Sequence, residues 1–162
     1  MKHEQSRPPE TAAVHGFSPG FAALGLEARL LAALETLGYE EPTPIQREAI
    51  PPLLAGNDVL GQAATGTGKT AAFTLPLLQR IAHGAKARPS ALILVPTREL
   101  AIQVSEAVQR YGKELRTSVL AVYGGQAIGP QFHALKRGVD VIVGTPGRIL
   151  DHIRRQTLKL NH

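Results

Sequence analysis

The 162-residue chain contains no cysteine, which excludes a disulfide framework, a thiolate metal site and a cysteine nucleophile. Its histidines, at positions 3, 15, 83, 133, 152 and 162, never stand four apart, so no helix presents a paired imidazole ligand set. The sequence also lacks any run approaching the roughly 18 apolar residues that a membrane span requires. The N-terminal Met1-Lys2-His3-Glu4-Gln5-Ser6-Arg7-Pro8 has no apolar signal-peptide core. These absences lead us to expect a soluble, cytoplasmic protein with no membrane partner.

What is present fits one domain, since 43% of the residues are apolar and a chain of this length can bury a sizeable core. Charge is unevenly placed. Residues 1–81 hold 6 Lys+Arg against 8 Asp+Glu, whereas residues 82–162 hold 12 against 5. A basic C-terminal half suggests a bound polyanion, with a solvated basic face as the plainer explanation.

The most specific feature is Ala63-Ala64-Thr65-Gly66-Thr67-Gly68-Lys69-Thr70. It follows the apolar Asp58-Val59-Leu60-Gly61, read as a strand, and leads into the helical pattern of Ala71-Ala72-Phe73-Thr74-Leu75. Strand, glycine-rich turn, Gly-Lys-Thr and helix is the order of a phosphate-binding loop. Small residues let the backbone curl until several N–H groups converge on one anion. The helix N-terminus adds its dipole, Lys69 a mobile charge and Thr70 a hydroxyl for Mg²⁺. Ala63 replaces the usual first glycine, while Gly66 and Gly68 remain where the turn is tightest. The loop is read as a nucleoside triphosphate site.

Along the chain, residues 1–18 are polar and aperiodic and read as a flexible tail. Helical spacing of leucines predicts a helix from Leu26 to Leu37, closed at Gly38. Thr43-Pro44-Ile45-Gln46 opens a second helix with capping-box spacing, which alone would explain Gln46. That helix is expected to end or kink at Pro51-Pro52. A third runs from the phosphate loop toward His83, with a kink at Pro76. Ala91–Val95 is fully apolar and predicts a buried parallel strand. A helix from Arg98 to about Leu115, a strand over 119–123, a short helix near 131–137, a strand over 139–143 and a helix to about Arg155 complete the alternation. The expected fold is α/β, a mostly parallel sheet with helices on both faces.

Ligands of such sheets sit beyond the carboxyl ends of the strands, so the turns following each strand should share one edge. Pro96-Thr97-Arg98-Glu99 and Thr145-Pro146-Gly147-Arg148 each place a hydroxyl and a guanidinium at a strand-to-helix junction, which suits a phosphodiester backbone. Gly124-Gly125 lets a sugar-phosphate chain approach closely. Taken singly, each has a structural explanation: Arg98 pairing with a carboxylate, Glu99 serving a helix dipole, Thr145 capping. Together, in the basic half, they point to nucleic acid, bound through its backbone without sequence preference and with salt sensitivity.

From about Phe21 to His162 the ordered set resembles the first RecA-like domain of a DEAD-box RNA helicase. Gly38-Tyr39-Glu40-Glu41-Pro42-Thr43-Pro44-Ile45-Gln46 resembles the family's Q motif, with Phe21 as its upstream aromatic. Ala63–Thr70 resembles motif I, Pro96-Thr97-Arg98-Glu99-Leu100-Ala101 motif Ia, Gly124-Gly125 the GG motif and Thr145–Arg148 motif Ib. The Q-motif stretch and Pro-Thr-Arg-Glu-Leu set it apart from DEAH-type and DNA-unwinding relatives. The resemblance implies that Gln46 reads adenine, with Phe21 and Tyr39 near the base, giving ATP as the nucleotide. Ala63, Ala64, Thr65, Gly66, Thr67, Gly68, Lys69 and Thr70 would surround the phosphates, with Lys69 and Thr70 serving catalysis and Thr70 reaching Mg²⁺. It further implies that Pro96, Thr97, Arg98, Gly124, Gly125, Thr145, Pro146, Gly147 and Arg148 hold one RNA strand, and that the helix after Arg148 helps bend it. Strain of that bend would separate short duplexes.

One element is missing. Hydrolysis needs a carboxylate at a strand end to hold Mg²⁺ and a group to orient water. Yet Val95 leads to Pro96 and Val143 to Gly144-Thr145. In family terms the Asp-Glu-Ala-Asp box, the Ser-Ala-Thr motif and the second domain lie outside this sequence. The expected organisation is therefore a tail over 1–18 and a RecA-like domain over 19–162, incomplete at its C-terminus, with its Q motif near 38–46. Weak ATP binding, weak RNA binding and negligible hydrolysis are expected of this chain alone, and apolar sheet edges left exposed. Two alternatives stand beside it: a P-loop kinase or transferase, and a non-catalytic nucleotide- or RNA-binding module.

Overall fold

Apolar side chains on both sides of a strand require cover on both faces, and the central strand of the sheet obtains it in full. The computed structural model describes residues 19–81 and 89–160. The polar tail, His83 and the last two residues lie outside the described residues. In chain order the elements are α1 (Pro19–Ala22), α2 (Ala28–Thr36), α3 (Pro44–Leu54), α4 (Lys69–Arg80), β1 (Ala91–Leu94), α5 (Arg98–Tyr111), β2 (Val119–Val122), α6 (Ile128–Arg137), β3 (Val141–Gly144) and α7 (Pro146–Arg154). The sheet is fully parallel in the order β1-β3-β2, with Leu94 and Val122 both in register with Gly144.

Alternation along the strands divides the core in two. Val141 and Val143 of β3 join one cluster with Leu30, Leu34, Leu75, Leu78 and Val108, from α2, α4 and α5. Ile142 points the other way and packs with Val122, Leu135, Ile149 and Leu158. Each such fully buried aliphatic side chain contributes about 1.5–3 kcal/mol. The central strand is buried throughout, and helices cover both faces as the alternation in the sequence implies.

Three expectations change. The 58–61 stretch forms no strand: Val59 is partly and Leu60 fully exposed. A strand needs a neighbour's N–H and C=O groups, and β1, β2 and β3 pair only among themselves among the described residues. For the same reason β1 is an edge rather than a buried strand, with Leu94 57% exposed. Between them lies a cavity of about 500 Å³, walled by Ile45, Val59, Phe73, Ile93 and Leu94 and reaching Lys69 and Thr70. Finally, of the end or kink expected at Pro51-Pro52, the end does not occur: α3 runs to Leu54 and is closed by the Ala55 N–H donating to the Pro51 carbonyl at 3.0 Å. Pro51 and Pro52 remove two N–H donors late in the helix, which nonetheless packs along α4 and buries Ala49 and Ile50. The helix α4 likewise continues through Pro76.

Candidate functional site

The phosphate loop is shaped by its glycines and held by Gln46. Gly66 and Gly68 have φ of +80° and +85°, a conformation that side chains with a Cβ rarely adopt. Gly68 is the N-cap of α4, and no side chain caps that helix, so its first N–H groups remain available to an anion. A Cβ on Gly68 would come within 2.4 Å of the Gln46 Nε2. That proximity is a hydrogen bond: Gln46 Nε2 donates to the Gly68 carbonyl at 3.1 Å, while its Oε1 accepts the Thr43 N–H at 2.9 Å. Gln46 is 1% exposed, so the capping role foreseen for it is real and extends to the loop. Within the loop, the Thr67 hydroxyl donates to the Ala64 carbonyl at 2.7 Å. The Lys69 ammonium donates to the carbonyls of Ala63 and Ala64. The curled backbone, bare helix end and adjacent cation fit a triphosphate, and Thr70 opens the same helix beside them.

The aromatic residues expected near a base pack on one another. Phe21 is buried, edge-on to Tyr39 at 6.2 Å between centroids. Tyr39 meets Tyr111 edge-on at 6.0 Å, and their hydroxyls share a 2.7 Å hydrogen bond. Burial first, then that bond, pushes the Tyr111 phenol well above its ordinary range.

The turns after β1, β2 and β3 share one edge, as parallel strands in register dictate. Thr97 caps α5, its hydroxyl accepting the Leu100 N–H at 3.2 Å. Among the described residues Arg98 pairs with no carboxylate, and it lies over the Tyr123 ring, 5.1 Å from its centroid. Gly125, with φ of +79°, places its missing Cβ 3.9 Å from an Arg98 nitrogen. Thr145 occupies the N-cap of α7 without a side-chain capping bond. Pro96, Gly124, Pro146 and Gly147 are exposed along this edge. Arg148 reaches back across it, donating to the Gln126 carbonyl at 3.0 Å and to the Gln131 Oε1 at 3.2 Å. The edge therefore unites Thr97, Arg98, Gly125, Thr145 and Arg148. It sits on Gln126, in the same turn as Gly124-Gly125, and on supports that the sequence did not disclose: Tyr123, Gln131 and His152. Their partners are set by packing between α6, α7 and the end of β2. The spacing in the chain carries no sign of that.

Comparison with known proteins places the chain in a family. A family model described as DEAD/DEAH box helicase matches residues 43–162. The chain belongs to this family. It is 56% identical over 90% of its length to the ATP-dependent RNA helicase DeaD of Escherichia coli strain K12, covering 23% of that protein. It is 54% identical over 88% of its length to the DEAD-box ATP-dependent RNA helicase CshA of Bacillus cereus, covering 27% of it. Among solved structures, the RNA helicase Prp28 of Chaetomium thermophilum bound to ADP superposes with a TM-score of 0.79 at 41% identity, covering 94% of this chain and 38% of that one. The chain thus spans about a quarter of the curated relatives it matches, and its three-stranded sheet with flanking helices belongs to the RecA-like helicase fold. Among the described residues no group of three or more His, Asp or Glu could hold a metal, and no helix is long and apolar enough to cross a membrane.

Proposed function

We infer that the chain is the ATP- and RNA-binding part of a cytoplasmic DEAD-box RNA helicase, with residues 19–162 as its RecA-like domain. One observation carries the reading: a glycine loop locked by Gln46 at a bare helix end shares the strand-end edge with two guanidiniums, Arg98 and Arg148, that form no ion pair among the described residues. In this reading the N–H groups at the start of α4 bind the nucleotide phosphates, Lys69 leaves its carbonyl partners to neutralise them, and Thr70 offers its hydroxyl to Mg²⁺. Bound Mg²⁺-ATP supplies the phosphoanhydride whose cleavage drives the cycle. Gln46 holds the loop closed from behind. For it to address an adenine edge as well, one of its two hydrogen bonds must be exchanged or shared. Arg98 and Arg148 hold phosphodiester groups of one RNA strand, with Thr97, Gly124, Gly125, Thr145, Pro146 and Gly147 shaping the surface beneath.

Cleavage of ATP requires a carboxylate, and neither β1 nor β3 ends in one. A further apolar strand carrying that acid would pair with the free edge of β1 and fill the 500 Å³ cavity beside Lys69 and Thr70. The chain by itself is accordingly a binding module. Titrations of ATP and of single-stranded RNA into the wild type, Lys69→Ala and Arg98→Ala test this. Loss of ATP binding in the first variant and weakened RNA binding in the second are expected. RNA-stimulated ATP hydrolysis by the chain alone contradicts the reading, and so does ATP binding without RNA binding in any of the three.

A further inference from the structure

Behind the nucleic-acid edge lies a buried polar group that phosphate binding does not itself require. Gln131, on the first turn of α6, is 2% exposed, and His152, on α7, is fully buried. Gln131 Nε2 donates to the Tyr123 carbonyl at 3.1 Å, which fixes its amide with Oε1 turned toward α7. That oxygen receives the Arg148 Nη1 at 3.2 Å and faces His152 Nε2 at 3.0 Å. An oxygen so placed accepts only, so His152 must carry a proton on Nε2. Its other nitrogen, Nδ1, lies 2.7 Å from the Thr157 hydroxyl. Thr157 is brought there by a reversal after α7 in which Gln156 adopts a φ of +59°, an arrangement costing roughly 1 kcal/mol for a residue with a Cβ. The Thr157 N–H then donates to the His152 carbonyl at 3.0 Å. Desolvating an amide and an imidazole is unfavourable unless every polar atom is used, and here the use converges on one half-buried cation, Arg148.

We propose that Gln131 and His152 are positioning residues of the nucleic-acid edge. His152, braced by Thr157, orients the Gln131 amide. Gln131 and the Gln126 carbonyl then hold the Arg148 fork by two of its N–H groups, leaving its other donors for a phosphodiester oxygen. Arg148 thus meets RNA with its rotamer already set, and the entropy of ordering a long side chain is not charged against binding. Gln131 reaches the second cation as well, since the Tyr123 whose carbonyl it holds carries Arg98 on its ring. The proposal rests on the RNA-binding reading above.

The test measures binding of a fluorescent single-stranded RNA to the full 162-residue chain as a function of salt. Wild type, Gln131→Met, Arg148→Ala, their double variant, His152→Phe and His152→Gln are compared, each checked for its fold by circular dichroism. Gln131→Met is expected to weaken binding on the order of tenfold, the scale of a hydrogen bond to a charged group. It should lower the salt slope by about one, as loss of a single phosphate contact does. In the Arg148→Ala background it should add little, because its effect passes through Arg148. His152→Phe should resemble Gln131→Met, and His152→Gln, which retains a donor toward Gln131, should restore most of the affinity. Additive effects of Gln131→Met and Arg148→Ala overturn the proposal, as does an unchanged salt slope in a folded Gln131→Met variant. A second readout needs no RNA: the ¹⁵N-resolved guanidinium signal of Arg148 should be slow to exchange in the wild type and averaged in Gln131→Met. If the wild type binds no RNA, the functional reading fails, and this signal alone decides whether Gln131 holds Arg148.

Discussion

Two buried glutamines support the two halves of the site in different ways. Gln46 spends both ends of its amide on the backbone, at Thr43 and Gly68. Gln131 spends one end on the backbone, at Tyr123, and the other on two side chains, Arg148 and His152. The phosphate loop is consequently a backbone device whose shape depends on glycine conformation and close approach. The edge proposed to hold nucleic acid is a side-chain device whose cations depend on partners one or two helices away. The first should tolerate no Cβ where the amide closes on it. The second should degrade by steps as its supports are removed.

Gly68→Ala is the harshest challenge to this contrast. The new methyl would collide with the Gln46 amide at a backbone angle that alanine resists. ATP binding measured by calorimetry should fall below detection, while RNA binding to the folded variant changes little. Gly147→Ala, where a Cβ meets nothing within 4 Å and φ is not positive, is the companion on the other edge. It should leave the fold and ATP binding intact. Equal damage from the two substitutions would erase the distinction.

An intermediate effect is expected from acid. Burial above all, and then the nearby Arg148 with a smaller push from Arg155, holds the His152 pKa below its ordinary value, with Asp151 opposing. The unfolded chain then binds a proton that the folded chain refuses. The contribution of His152 to stability is therefore complete above about pH 6.5 and declines as the pH falls from there toward the folded pKa. Denaturant melts at stepped pH should show this decline. His152→Gln, which cannot titrate, should flatten it. A decline of equal size in His152→Gln would assign the acid sensitivity elsewhere.

The smallest effect belongs to the cap of α5. Thr97→Ala removes the bond to the Leu100 N–H and should cost about 1 kcal/mol of stability in chemical denaturation. If RNA affinity falls by more than that loss accounts for, the Thr97 hydroxyl also touches the bound strand.

Much of this was legible beforehand, for identifiable reasons. The phosphate loop is local: glycines, lysine and threonine act within eight consecutive positions, so spacing alone exposes them. The strands at 119–122 and 141–144 and the helices between them follow from periodicity, and the common edge follows from parallel topology. The 91–94 and 58–61 stretches misled because apolarity reports the capacity for burial, not the presence of a neighbouring strand. Gln131 and His152 were invisible because their partners lie 17 and 21 positions apart, separated by a strand and two helix faces. Neither residue type advertises a role at such a distance. Gln46 was readable as a cap from its spacing to Thr43, but its grip on Gly68, 22 positions on, required the packing of α3 against α4.

The central claim is that one edge of the molecule holds two separate ligand surfaces, one for ATP and one for RNA. Backbone and side-chain amide NMR spectra of ¹⁵N-labelled chain, titrated separately with Mg²⁺-ATP and with a short single-stranded RNA, test it most directly. ATP should shift the amides of Gly66 to Thr70 and the side chain of Gln46. RNA should shift those of Thr97, Arg98, Gly124, Gly125, Gly147 and Arg148, with the side chain of Gln131 moving alongside. RNA shifts confined to the phosphate loop, or absent from all three turns, would contradict the account.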